Sequence, residues 1–213
     1  MDGAPSFEPE FREQLLDLFV WRRDVRRFRR DPLPEGALER LIGIAALSPS
    51  VGLSEPWRFV LVESPEVRAK IRANFEAANA EALSAQNEDR AGLYARLKLA
   101  GLDDAPVQFA LFADRGTLQG HGLGRLTMPR TIDYSAVMAL HTLWLAARAE
   151  GIGLGWVSIL DPEAASRTLD AAPGWELIGY FCLGWPVADD WKPALERQAW
   201  EQRRAPASTI HRR

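Results

Sequence analysis

The sequence predicts an α+β fold, and three observations carry that reading. Apolar residues near the N-terminus recur at helical spacing, as Phe11, Leu15, Leu18 and Phe19 do. Further on, short apolar runs bounded by turn residues read as strands. The helices between them are of unequal length, unlike the even alternation of a doubly wound parallel sheet. At 213 residues the chain suits one domain, or one subunit of an intertwined oligomer.

Each element follows from local chemistry. The first helix is expected over about 8–21. It runs into WRRDVRRFRRDPLP, whose prolines end any helix. Pro34 opens a second helix with Leu38, Leu41, Ile42 and Ala45 on one face. SPSVGLSEPW is a turn-rich loop, followed by a strand at 58–63. Ser64 and Pro65 are an N-cap and first-turn pair for a helix reaching residue 85. Residues 86–103 are polar, then weakly helical, and suit a lid. A second strand covers 107–113, and 114–130 is a Gly-rich loop. The helix at 132–150 is apolar nearly all round, which predicts a buried central helix ending at Gly151. Strands at 155–160 and 177–184 flank a short helix begun by Asp161-Pro162. The tail, about 188–213, carries Trp191 and Trp200 among charges, and is expected to pack as an arm on a partner subunit.

Composition excludes several functions. Apolar residues make up 47% and charged residues 26%, so a disordered chain is excluded. A net charge of −3 argues against nucleic-acid binding by bulk charge. Cys182 stands alone, which rules out an intrachain disulfide and a zinc site of several thiolates, and a reducing, cytoplasmic compartment is expected. His121, His141 and His211 lack ligand spacing. The N-terminal residues lack the order of a signal peptide, and the longest apolar stretch is too short for a bilayer, so no membrane partner is expected. No strand leads into GxGxxG or GxxxxGK[ST].

Only three of 26 basic residues are lysine. Codon bias in a GC-rich genome accounts for most of such a skew, but arginine also grips phosphate bidentately where lysine cannot. Local clustering bears on the choice: residues 22–30 hold six arginines in nine positions, with Asp24 among them. Three readings stay open for this run. It is a solvated basic stretch with Asp24 as an internal ion-pair partner, a nucleic-acid patch weakened by the lack of stacking aromatics beyond Phe28, or a phosphate grip. In an extended segment Arg22, Asp24 and Arg26 face one side.

RRDVRRF, followed by PSVGLSEPWRFV, resembles the FMN-binding start of the nitroreductase-like flavoprotein superfamily. The usual pattern there is Arg-Arg-Ser-x-Arg-x-Phe, then Pro-Ser-x-x-Asn-x-Gln-Pro-Trp. Asp24 replaces the Ser, and Leu53 and Glu55 replace the Asn and Gln. With those departures, RANFEAANAEAL, YARLKLAGL, APVQFALF, QGHGLGR, HTLWLAARAEGIGLGWVSILDP and GYFCLGWP are similar to the BluB branch, the 5,6-dimethylbenzimidazole synthases. The likeness runs from about Phe7 to Trp200.

The resemblance implies a central mixed or antiparallel sheet flanked by helices, in an intertwined homodimer with an FMN site at each end of the interface. It implies that reduced FMN is a substrate, broken apart with dioxygen to 5,6-dimethylbenzimidazole and erythrose 4-phosphate for the lower ligand of vitamin B12. A separate flavin reductase is then expected to supply reduced FMN. By position, Arg22, Arg23, Asp24, Val25 and Arg26 match the phosphate and ribityl contacts, Ser50 a flavin contact, and Leu99 in the lid segment a ring or ribityl contact. Asp24 and Ser158 match the residues implicated in cleavage. Oxygen chemistry on a flavin needs a dry site, and fragmentation needs a positioned base; the flanking arginines are expected to keep Asp24 ionised for that task. For Ser158 the plain alternative is a strand-end hydroxyl bonded to backbone. An NAD(P)H-dependent nitroreductase or flavin reductase, and a non-catalytic flavin carrier, share the arginine motif; neither requires Asp24 with Ser158.

Other residues read as structural. His121 is expected on a surface loop, His141 as a satisfied core histidine and Cys182 as a small buried hydrophobe. Trp57 suits either the flavin border or the core, and Glu55 a capping role.

Overall fold

The computed structural model describes residues 3–97 and 99–213; Lys98, inside the predicted lid, lies outside it. The sheet has four strands in the order β1-β2-β4-β3, where β1 is Trp57–Leu61, β2 Val107–Asp114, β3 Gly153–Val157 and β4 Trp175–Gly184. All three pairings are antiparallel. The helices are α1 (Pro9–Trp21), α2 (Ala37–Ala45), α3 (Pro65–Ser84), α4 (Glu88–Tyr94), α5 (Thr131–Ala149), α6 (Pro162–Thr168) and α7 (Ala194–Arg197).

Strand alternation divides the core into two layers. Phe109, Leu111 and Ala113 of β2 join Phe181 and Leu183 of β4 on the face covered by α2 and α5. Ala110 and Phe112, with Tyr180 and Cys182, join the opposite cluster, which takes in Ile71 of α3 and Ala165 of α6. Because helices cover both faces, β2 reads as an apolar run from Phe109 to Ala113. Two polar side chains caught between the strands satisfy each other: Tyr180 donates to Gln108 Oε1 at 2.9 Å, and Gln108 Nε2 donates to the Leu102 carbonyl at 2.9 Å.

The predicted caps at Ser64 and Asp161 form, each side chain accepting first-turn amides. The lid segment contains α4, capped by Asn87 and tied to α3 by the Tyr94 hydroxyl on Asn79 Oδ1 at 2.9 Å.

Three expectations need correction. Helix α5 buries Ala136, Ala139, Leu140, Leu143 and Ala147, but Tyr134, Val137 and Met138 are exposed on its other face. An all-round apolar helix can face a core on one side and a partner on the other, and sequence does not separate the two. His141 lies on that exposed face, not in the core. Trp200, expected on a partner, lies against its own chain, 6.0 Å from the Tyr94 ring and under the Arg90 guanidinium; Trp191 is exposed.

Candidate active site

Strand β3 is an edge of the sheet, and the arginine segment lies along it. Asp24 and Leu154 form a parallel bridge, with the Val25 amide donating to the Leu154 carbonyl at 3.0 Å. The chain then continues beside the end of β4, through Val187 N to the Arg27 carbonyl and Arg29 N to the Trp185 carbonyl. This close approach explains two glycines on β3. A Cβ at Gly155 would stand 2.0 Å from the Val25 carbonyl oxygen, and one at Gly153 would stand 2.7 Å from Val25 Cγ2.

The Asp24 carboxylate is thereby fixed on both oxygens. Oδ1 accepts from the Trp156 amide at 2.9 Å and Oδ2 from Arg26 Nε at 2.8 Å. Asp24 and Arg26 share a side of the segment and pair there, whereas Arg22, expected on the same side, turns instead onto the Trp144 ring, and Val25 packs against the core. Strand β3 ends at Val157, before Ser158, which is exposed. Ser158 stands two residues after the amide that holds Asp24, beyond the end of the strand, and does not line the cavity beside Asp24. Its hydroxyl makes no hydrogen bond among the described residues, so the backbone-bonded alternative does not hold.

Beside Asp24 opens a cavity of about 350 Å³ between the arginine segment and the tail. Its wall carries Arg23, Arg26, Arg27, Arg96, Lys192 and Arg197 against the carboxylates of Asp24 and Asp190. That excess of positive charge suits a phosphate. Arg23 is anchored by carbonyls: Nε to Trp191 O at 2.9 Å, Nη1 to Arg22 O at 2.8 Å, and Nη2 to Val20 O. Each Nη retains a second N–H. Burial, with Arg203 and Arg22 nearby, holds the Arg23 guanidinium below the usual arginine range. Arg22 does not line the cavity. It lies 4.9 Å over the Trp144 ring, and its own burial likewise lowers it, Asp24 acting in the opposite sense.

Ser50 lies elsewhere in the chain. Its Oγ accepts the Glu55 amide at 3.1 Å and its carbonyl accepts the Leu53 amide, closing a tight turn. The Val51 amide donates to Ser135 Oγ at 3.0 Å, which pins the turn to the first half of α5. Gly52, Leu53 and Glu55 all take positive φ. The arginine segment instead meets α5 through Trp144, whose Nε1 donates to the Arg23 carbonyl at 3.2 Å. From Ser135 to Trp144 is about 13 Å along a helix rising roughly 1.5 Å per residue. Within one chain, then, Ser50 and Arg23–Arg26 attach to different stretches of α5. Leu99 is apart as well, in a cavity of about 150 Å³ with Arg72, Phe75 and Asn79. Trp57 belongs to the core. Glu55 has its amide on Ser50 and its carbonyl on Arg58 Nη1.

Sequence reasoning missed Arg96, Lys192 and Arg197, which tertiary packing brings to Asp24 from distant segments. It also missed Ser135. The Gly-x-Gly spacing of 153 and 155 on a strand is the one local signal that another backbone lies close.

A nitroreductase family profile matches residues 19–185. The chain is 52% identical to a 5,6-dimethylbenzimidazole synthase of Rhodospirillum rubrum, over 96% of this chain and 97% of that one. It is 49% identical to a 5,6-dimethylbenzimidazole synthase of Rhodobacter capsulatus, over 92% and 95% respectively. Among solved structures, iodotyrosine deiodinase bound to FMN and 3-iodo-L-tyrosine superposes with a TM-score of 0.70 at 22% identity, covering 83% of this chain and 91% of that one. A nitroreductase with bound FMN from Desulfitobacterium hafniense gives 0.65 at 17% identity, covering 92% and 96%.

Proposed function

The chain belongs to the nitroreductase family and, within it, to the 5,6-dimethylbenzimidazole synthases, and from that premise we propose that it fragments reduced FMN with dioxygen. The products are 5,6-dimethylbenzimidazole, the lower ligand of vitamin B12, and erythrose 4-phosphate. The observation that carries this reading is the Asp24 carboxylate, clamped between the Trp156 amide and Arg26 at the mouth of a cation-rich cavity.

Bound FMN would supply the ring system and the electrons that react with oxygen. Arg23 and Arg26, with Arg27, Arg96, Lys192 and Arg197 around them, would hold its phosphate. Arg22, stacked on Trp144, supports that segment from behind and adds to its field. Asp24 is positioned to take or hold a proton beside the ribityl chain, its geometry fixed before substrate arrives. Ser158, free of backbone bonds, serves as the hydroxyl that orients the same chain or a proton-carrying water. Ser50 would reach the flavin from the second subunit of a homodimer, because within its own chain it attaches to a different stretch of α5. Leu99 would do so by closure of the lid segment. A separate flavin reductase would deliver FMN in reduced form.

The test is to incubate the purified protein with chemically reduced FMN in air and look for 5,6-dimethylbenzimidazole by mass spectrometry. Quantitative return of intact oxidised FMN overturns the proposal and favours an ordinary flavin reductase or carrier. Asp24→Asn is expected to keep FMN binding and lower product formation by about 100-fold or more. Product at the wild-type rate from that variant would remove Asp24 from the chemistry.

A further inference from the structure

A second arginine cluster lies at the start of α5 and takes no part in the site above. It lines a cavity of about 130 Å³ with Arg115, Arg125, Pro129, Arg130 and Ile132. Arg115 is held rigidly by Asp133, through Nε to Oδ1 at 3.2 Å and Nη2 to Oδ2 at 2.7 Å. Glu176 stands 3.9 Å from its Nη1. Arg125 is different: its Nη1 is buried and has no hydrogen-bond partner. Among the described residues no carboxylate pairs with Arg125 or Arg130. Folded proteins rarely leave a buried cationic N–H unmatched, because it forfeits its hydration without return. The first turn of α5 borders the same cavity and begins at Arg130 without a side-chain cap, adding partial positive charge to that of the guanidinium groups.

We propose that this cavity is a binding site for a small oxyanion of the phosphate class, separate from the phosphate grip beside Asp24. Arg125 and Arg130 supply the donors, and Arg115, fixed by Asp133, forms the third wall. The volume suits one phosphate group and excludes a whole nucleotide, which fills pockets of roughly 300 Å³ or more. Arginines from three chain positions line the cavity, and guanidinium forks suit the oxygens of a tetrahedral oxyanion.

The site bears on the Ser50 turn through the loop that follows Arg115. A Cβ at Gly120 would stand 2.5 Å from the Gly52 carbonyl oxygen, and one at Gly124 would stand 2.8 Å from Val51 Cγ2. Ser135, one turn into α5, holds the Val51 amide. An oxyanion bridging Arg125 and Arg130 fastens this loop to α5 and so stiffens the surface on which the turn rests.

The experiment compares sodium phosphate with sodium chloride at matched ionic strength, using full-length protein saturated with FMN to fill the first grip. Phosphate is expected to raise the melting temperature saturably, and calorimetry to give a single additional site. Arg125→Met and Arg130→Met are each expected to weaken that phosphate affinity by about tenfold or more, with Arg125→Lys in between. A wild-type response no greater than that to chloride overturns the proposal. So does an unchanged phosphate response in both Met variants. If Arg125→Met instead lowers the oligomeric mass in light scattering and leaves the phosphate response intact, the buried nitrogen meets a partner's carboxylate and the proposal fails. The variants locate the site by its own residues, so phosphate binding there stands or falls whether or not FMN proves to be the substrate.

Discussion

Leu53 and Glu55 show how a departure from a family pattern acquires a physical meaning. Both hold positive φ, at 55° and 42°, where the resembling pattern has Asn and Gln. Asn adopts that conformation readily and Leu does not. Leu53 is 69% exposed, so little packing offsets its strain. Leu53→Asn is therefore expected to stabilise the chain by about 1 kcal/mol, read as a higher urea midpoint. An unchanged or lower midpoint would mean that the Leu53 side chain has a covered role in the assembled protein. Cys182 yields a prediction in pH. Burial is the largest cause pushing its thiol up to about 12, against 9.0 for an exposed thiol. Between those values the unfolded chain has lost the proton and the folded chain keeps it, so stability is full below pH 9 and falls as pH rises toward 12. Burial raises the Tyr180 hydroxyl as well, in the same sense. Urea midpoints at about pH 8 and about pH 10.5 should differ in wild type and differ less in Cys182→Ala. Equal pH slopes in the two proteins would dismiss the thiol as a contributor.

Helix α5 is the element around which both candidate sites are arranged. Its exposed stripe, Tyr134, Val137, Met138 and His141, recurs at helical spacing beside α1, which buries no residue of its own. Apolar surface of this kind marks an interface. If the proposed homodimer pairs through this face, Met138→Glu is expected to yield monomer in light scattering and to weaken FMN retention with it; a dimer mass unaltered by the substitution would locate the interface elsewhere. This helix also shows the limit of sequence reading. Its extent was legible from apolar spacing and from Gly151, but an apolar face looks the same whether it meets its own sheet or another chain. Strand β3 was legible as a strand but not in its limits. The observed Gly153–Val157 starts earlier, at the glycines that make room for Val25, and stops short of Ser158. The arginine segment and Asp24 were legible because their chemistry is local. Arg96, Lys192 and Arg197 were not, because only the packed tail and lid bring them to the same cavity.

At the scale of the whole molecule the decisive matter is which chain completes which site. Ser50 is tied to Ser135, while Arg23 is tied to Trp144 further along the same helix. In the proposed homodimer, a two-fold pairing through the exposed face of α5 would let one copy's Ser50 turn approach the other copy's arginine segment, twice by symmetry. Mixed dimers test this without a structure of the complex. One parent carries Asp24→Asn. The other carries Gly52→Val, whose new side chain starts 2.9 Å from the Leu123 carbonyl oxygen at a φ of +58° and so disrupts the Ser50 turn. Each parent alone is expected to be nearly inactive. If each site draws Asp24 from one subunit and Ser50 from the other, a mixed dimer has one site with both defects and one with neither. Random reassortment of equal amounts then restores about a quarter of the wild-type rate. If each site is built within a single chain, every site in the mixed dimer carries one defect and no activity returns. Recovery near a quarter therefore supports the shared site, and a mixture as inactive as its parents, with mixed dimers verified by mass, would show that Ser50 and Asp24 serve the same subunit.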